Sequence, residues 1–242
     1  MSLIMVAHGT RRPAGVAMTG DLAARVGTLL DRAVQVAFVD VLGPTPSEVL
    51  SHAADGRRAI VVPAFLSRGY HVRTDLPAHV AASGRANVVV TPALGPSGEI
   101  ARIVFYQLIE SGWRPGDSVI LGAAGTSDHR ARADLHTTAT WLSALTGSRV
   151  RLGFAATGDP DVREAVLRAR RDGARRVAVA SYLLADGLFQ QRLRGCGADL
   201  VSQPLGTHPG LARLIASRFR RAVPKPPARQ ALHGRRADVR NA

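Results

Sequence analysis

Three side chains in this chain of 242 residues stand where metal or proton chemistry would need them: His8, Asp40 and His71. Each comes just after a short aliphatic, β-branched run. Leu3-Ile4-Met5-Val6-Ala7 precedes His8, and Val36-Ala37-Phe38-Val39 precedes Asp40. Ile60-Val61-Val62-Pro63 leads into the loop Leu66-Ser67-Arg68-Gly69-Tyr70 that ends at His71. If these runs are neighbouring strands of an open parallel sheet, all three groups face the crevice outside the carboxyl ends, where such sheets bind ligands. Two imidazoles and a carboxylate suit a borderline divalent ion such as Fe2+, Co2+, Ni2+ or Zn2+. The same imidazoles are proton acceptors. Singly, either histidine reads as an ordinary loop residue; only the pair at one sheet edge points to a site.

Other candidates fall away. His52, His79, His129, His136, His208 and His233 lie on predicted helices, at a helix start or in the tail, and read as solvated or capping residues. Ser127 is not framed by a Gly-x-Ser-x-Gly elbow. Gly122-Ala123-Ala124-Gly125-Thr126 lacks the lysine of a phosphate-binding loop, and no Gly-x-Gly-x-x-Gly follows the first strand. Cys196 is the only cysteine, which excludes an internal disulfide and any Cys-x-x-Cys motif.

The elements that must position the pair alternate between strand-like and helix-like patterns, the signature of βαβ units and a parallel sheet. Strands are predicted at 2–7, 34–39, 59–63 and 87–90, and helices at 15–32, 47–54, 73–83 and 97–111. The turn-rich stretch 112–117 interrupts the pattern, which then begins again. His8-Gly9-Thr10 is answered by Ala124-Gly125-Thr126 at an offset of 116, Arg57-Arg58 by Arg175-Arg176 at 118, and Leu94-Gly95 by Leu205-Gly206 at 111. Three similar offsets in the same order describe a tandem duplication of an α/β unit of about 110 residues. The fold class is therefore α/β: two tandem repeats, each a small open parallel sheet with helices on both faces. The expected division is 1–114 for the repeat carrying the site, 117–222 for a degenerate repeat, and 223–242 for a basic, proline-containing tail without fixed structure.

Composition bounds the partners. Apolar residues make up 46% and charged residues 21%, with a mean hydropathy of +0.04, as in folded globular proteins. No apolar run approaches the roughly 20 residues needed to span a bilayer. The first residues have no charged region followed by a long apolar one, so no leader and a cytoplasmic location are expected. The net charge of +14 comes almost wholly from arginine, Lys225 being the only lysine. With 5% aromatic residues and no aromatic-basic run, nucleic acid is not the expected partner. A basic surface does favour an anionic small molecule.

The motifs Ala7-His8-Gly9-Thr10-Arg11, Phe38-Val39-Asp40, and Pro63-Ala64-Phe65-Leu66 running through Gly69-Tyr70-His71 to Asp75-Leu76-Pro77 resemble those of the sirohydrochlorin chelatases. These are class II tetrapyrrole chelatases, and the resemblance to their long, tandem-duplicated form covers about residues 3–222. It implies insertion of Fe2+ or Co2+ into sirohydrochlorin, on the route to sirohaem or cobalamin, with the metal as substrate and no permanently bound cofactor. Carried over by position, it makes His8 the proton acceptor and a metal ligand, and His71 the second ligand. Asp40 takes the place of the family's usual glutamate, keeping the charge with a shorter reach. Leu66, Ser67, Arg68, Gly69 and Tyr70 would touch the macrocycle, and Arg11 and Arg68 are the nearest cations for its carboxylates. A monomer is expected, because the duplication replaces a homodimer. In the second repeat Ala124 stands at the position of His8 and Phe189 at that of His71, so the chemistry should belong to the first repeat. Two alternatives compete. A non-catalytic tetrapyrrole or metal carrier would use the same crevice. A histidine-phosphatase-like enzyme needs an arginine just before the histidine, where Ala7 stands.

Overall fold

The computed structural model describes residues 1–53 and 56–223, so the proposed tail lies outside the described residues except for Val223, as does the end of the predicted helix 47–54. The first repeat runs β1 (Ser2–Ala7), α1 (Pro13–Leu30), β2 (Gln35–Phe38), α2 (Pro46–Ser51), β3 (Ala59–Pro63), a π-helical turn at His71–Asp75, α3 (Leu76–Ala82), β4 (Val88–Val90) and α4 (Gly98–Glu110). The second runs β5 (Ser118–Ala123), α5 (His129–Thr146), β6 (Arg151–Phe154), α6 (Val162–Arg171), β7 (Val177–Tyr182), α7 (Leu188–Arg194), β8 (Leu200–Val201) and, after a 3-10 turn at Leu205–Thr207, α8 (Pro209–Ala222).

Each repeat forms a four-stranded, all-parallel sheet, ordered β2-β1-β3-β4 in the first and β6-β5-β7-β8 in the second. The central strands read as unbroken apolar runs because both faces are covered. Alternation still decides which face each residue serves. Leu3, Met5, Ile60 and Val62 point into the core shared with the second repeat, whereas Ile4, Val6, Ala59 and Val61 point to the outer cluster under α2 and α3. The second sheet divides likewise, with Val119 and Leu121 inward and Ile120, Val177 and Val179 outward.

Two elements begin more than one residue from the predicted start. Helix α1 starts at Pro13 rather than residue 15, because proline's fixed φ suits a first helical turn and its missing N–H costs nothing there. The predicted helix 73–83 is preceded by the π-helical turn, closed by the Leu76 N–H donating to the His71 carbonyl, and Pro77 then sits in the first turn of α3. Pro77 has no N–H to donate to a regular helical bond reaching back before α3, so a wider turn comes first.

The inward faces meet through a helical layer in which α1 packs on α8 and α4 on α5. One continuous core results, with Leu22, Val26, Val104 and Leu108 of the first repeat against Leu135, Leu142, Ile215 and Phe219 of the second. Gln107 supplies a polar link across this seam. The buried Gln107 amide donates to Thr207 Oγ1 at 2.9 Å and to the Pro204 carbonyl at 3.2 Å. Gln107→Leu keeps the volume and removes both bonds, so we expect a loss of about 1–2 kcal/mol. At this chain length that lowers Tm by several degrees. A thermal melt unchanged by the substitution would contradict this role.

Candidate functional site

Strand β1 ends at Ala7, and the chain must then turn sharply to lift His8 above the sheet edge. Gly9 makes that turn at φ 105°, and a Cβ there would lie 2.2 Å from the Asp40 carbonyl oxygen, so no other residue fits. The turn is tied to its neighbours by the Val39 and Asp40 N–H groups, which donate to the Ala7 and His8 carbonyls at 3.0 and 3.1 Å. From β3 the Ala64 N–H donates to the Val6 carbonyl at 2.7 Å, after which residues 65–70 leave the sheet and the π-helical turn begins at His71.

These two exits bring His8 and His71 together, with ring centroids 4.5 Å apart and planes at 88°. Each ring has one nitrogen engaged. His8 Nδ1 donates to the Gly9 carbonyl at 3.2 Å, since a carbonyl can only accept. His71 Nδ1 donates to Asp75 Oδ2 at 2.6 Å. In both rings Nε2 is the nitrogen left for a metal or a proton. Phe65 stacks beside His71 at 6.3 Å and 24°, and Tyr70 approaches it edge-on at 6.1 Å.

The pair opens on a cavity of about 410 Å³ between the repeats. Leu66, Ser67, Gly69 and Tyr70 line its near wall, and Ala124, Thr126, Thr157 and Leu184 are among the residues of its far wall. Ala124 therefore faces the site as a methyl group, while Phe189 lies outside the lining.

The loop that delivers His71 is held from the second repeat. Tyr182 Oη donates to the Leu66 carbonyl at 2.8 Å, and Asp134, almost fully buried on α5, accepts from the Arg68 backbone N–H at 2.8 Å and its guanidinium Nη2 at 2.6 Å. Arg73 pairs with Asp128 a turn further along. Burial pushes the Tyr182 phenol well above its usual range, so it remains a hydrogen-bond donor. The hydrogen bond and charge of Asp134 raise the Arg68 guanidinium further.

Three residues expected at the site stand apart from the imidazole pair. Arg68 is outside the cavity lining and engaged by Asp134, although most of its side chain is exposed. Arg11 is exposed at the start of α1, also outside the lining. Asp40 does not complete a three-ligand cluster: among the described residues no three His, Cys, Asp or Glu groups converge to hold a metal. Its Oδ1 instead accepts from the Val41 N–H at 2.7 Å, holding a tight turn in which Val41 has φ 70°. One oxygen of the aspartate is thus engaged within its own loop.

Asp75, Asp134 and Tyr182 were not identified from sequence as site residues. The four-residue interval from His71 to Asp75 is one that places two side chains on the same helical face, and is a readable signal. No local signal links residues 66 and 68 to partners 116 and 66 positions away. A larger groove of about 640 Å³ lies beside β6, with Arg132, Arg149, Arg151, Arg168 and Arg171 in its walls. Several of these are already engaged, Arg151 by Asp172, Arg168 by Glu164 and Arg132 by the Asp159 carbonyl.

The doubled, all-parallel α/β unit is a chelatase-like fold. Residues 2–111 and 118–222 each match the CbiX family model, and the chain belongs to that family. It is 24% identical over 233 residues to a sirohydrochlorin ferrochelatase of Priestia megaterium, covering 89% of this chain and 88% of the relative. A sirohydrochlorin cobaltochelatase of the same organism is 25% identical over 236 residues, covering 90% and 74%. Among solved structures, SirB from Bacillus subtilis with Fe3+ superposes with a TM-score of 0.74 at 19% identity, covering 90% of this chain and 94% of that one, and so shares the fold.

If Asp134 holds the loop, Asp134→Ala should speed hydrogen exchange at amides 66–72 and lower Tm by a few degrees, a loss of about 1–3 kcal/mol. The cost stays modest because Arg68, already largely exposed, is left solvated rather than stranded. Unchanged exchange in this segment would show that the loop is held by other means.

Proposed function

We propose that this chain inserts a divalent metal, Fe2+ or Co2+, into sirohydrochlorin, on the way to sirohaem or cobalamin. The observation that carries the reading is the His8–His71 pair, 4.5 Å apart and opening on a cavity between the repeats. The family and the activities named for its relatives agree with it.

Insertion replaces two pyrrole N–H protons by the metal, which must also shed its water. The site therefore needs a base, and a ligand that captures the metal and then releases it. Imidazole Nε2 serves both ends: it binds such metals and, once they pass to the macrocycle, takes up a proton. A set of thiolates would bind the metal more tightly and keep it from the macrocycle. His8 is exposed and can return its proton to water. The wall of Leu66, Ser67, Gly69 and Tyr70 would lie against the macrocycle. Arg11, free of any ion pair among the described residues, is a cation for its outer carboxylates, and Arg68 contributes chiefly by fixing the loop.

This reading takes the protein to be a cytoplasmic monomer. No helix among the described residues is long and apolar enough to cross a membrane, and the α1–α8 and α4–α5 contacts supply within one chain the seam that two half-length chains would need to form.

Steady-state insertion of Fe2+ and Co2+ into sirohydrochlorin tests the proposal. Turnover well beyond one equivalent separates a catalyst from a carrier. His8→Ala and His71→Ala should each lower kcat by at least about 100-fold. Phe189→Leu, outside the cavity, should change it by only a few-fold. Should Phe189→Leu lose as much as His8→Ala while remaining folded, chemistry confined to the first repeat is ruled out.

A further inference from the structure

We infer that Asp75 is a positioning residue for metal capture: it fixes the ring orientation and tautomer of His71 so that Nε2 is the nitrogen offered to the metal. The inference rests on the reading of His71 as a metal ligand. Three features support it.

The first is the bond itself. An ionised carboxylate can only accept, so the 2.6 Å contact places the imidazole proton on Nδ1 and leaves the Nε2 lone pair unprotonated. A carboxylate behind a ligating histidine also makes the imidazole a better donor.

The second is what Asp75 does not do. It stands immediately before α3 but with helical backbone angles, so it does not cap the helix, and its side chain accepts no backbone N–H of that turn. The π-helical turn keeps Asp75 on the same side as His71, four residues on, and the carboxylate goes to the ring.

The third is an internal control. In the second repeat the equivalents of His71 and Asp75 are Phe189 and Leu193, at the same spacing of four. The carboxylate is missing where the imidazole is missing, and Leu193 is packed, fully buried, into the outer core of its repeat. The second repeat builds this stretch as a plain α-helix, α7, without the π-helical turn, so the carboxylate and the turn that presents it are both absent where the imidazole is absent.

The experiment uses the full chain with Co2+ alone as probe, titrated by visible absorption, followed by insertion kinetics with sirohydrochlorin. Asp75→Leu, the second repeat's own solution, should weaken Co2+ binding by about 10–100-fold. It should lower kcat correspondingly, with KM for the tetrapyrrole nearly unchanged. Asp75→Asn, which keeps the shape and an accepting oxygen without the charge, should fall between Asp75→Leu and the unaltered protein. In the metal-free protein, 15N shifts of His71 should report the Nδ1–H form and, in Asp75→Leu, a mixture with the Nε2–H form. Unaltered Co2+ affinity in either folded variant, while His71→Ala loses it, overturns the role of Asp75 and leaves the metal site standing. Unaltered affinity in His71→Ala overturns both.

Discussion

The site depends on holding one histidine of an irregular loop within ring contact of another. His8 is easily placed, one residue beyond a central strand. His71 is eight residues past the end of β3, on a segment without sheet partners of its own. A free loop of that length samples many conformations, and ordering each residue costs roughly 1–2 kcal/mol. Within its own repeat the Leu94 and Gly95 N–H groups donate to the Phe65 carbonyl, and the other repeat adds Tyr182 to the Leu66 carbonyl, Asp134 to both ends of Arg68, and Asp128 to Arg73. The second repeat is thus part of the frame against which the loop that carries His71 is set.

The two repeats keep the same backbone while differing in chemistry. The turn at Gly9 has its counterpart at Gly125, with φ 122° and a hypothetical Cβ 2.1 Å from the Thr157 carbonyl. The bonds from residues 39 and 40 to 7 and 8 recur as bonds from 155 and 156 to 123 and 124. What changes is the side chains: His8, Asp40, His71 and Asp75 against Ala124, Ala156, Phe189 and Leu193. A fold can persist on its glycines, apolar strands and shared core after its reactive groups are gone, which is why function must be argued from the site.

Much of this was legible in the sequence. Strands 2–7 and 59–63 are reproduced to the residue, being central strands buried throughout except at Ser2, whereas the edge strands shrink to Gln35–Phe38 and Val88–Val90. The duplication and the His8–His71 edge were readable because strand order and βα connections confine such residues to one crevice. The exact partners of each charge were not. Arg68 was expected to face substrate, yet a buried carboxylate 66 residues away engages it, a tertiary contact that no local pattern encodes. Asp40 shares the edge with the histidines but is held by its own turn, a matter of one hydrogen bond rather than of spacing.

The central claim is that metal is captured by the two imidazoles of the first repeat, without a third protein ligand from Asp40. X-ray absorption of the full chain loaded with one equivalent of Co2+ tests it most directly. The account predicts outer-shell scattering from two imidazole rings, with the remaining first-shell ligands being water, and an unchanged spectrum in Asp40→Ala. A shell of oxygen ligands without imidazole scattering, or a spectrum that loses a ligand in Asp40→Ala, would contradict it.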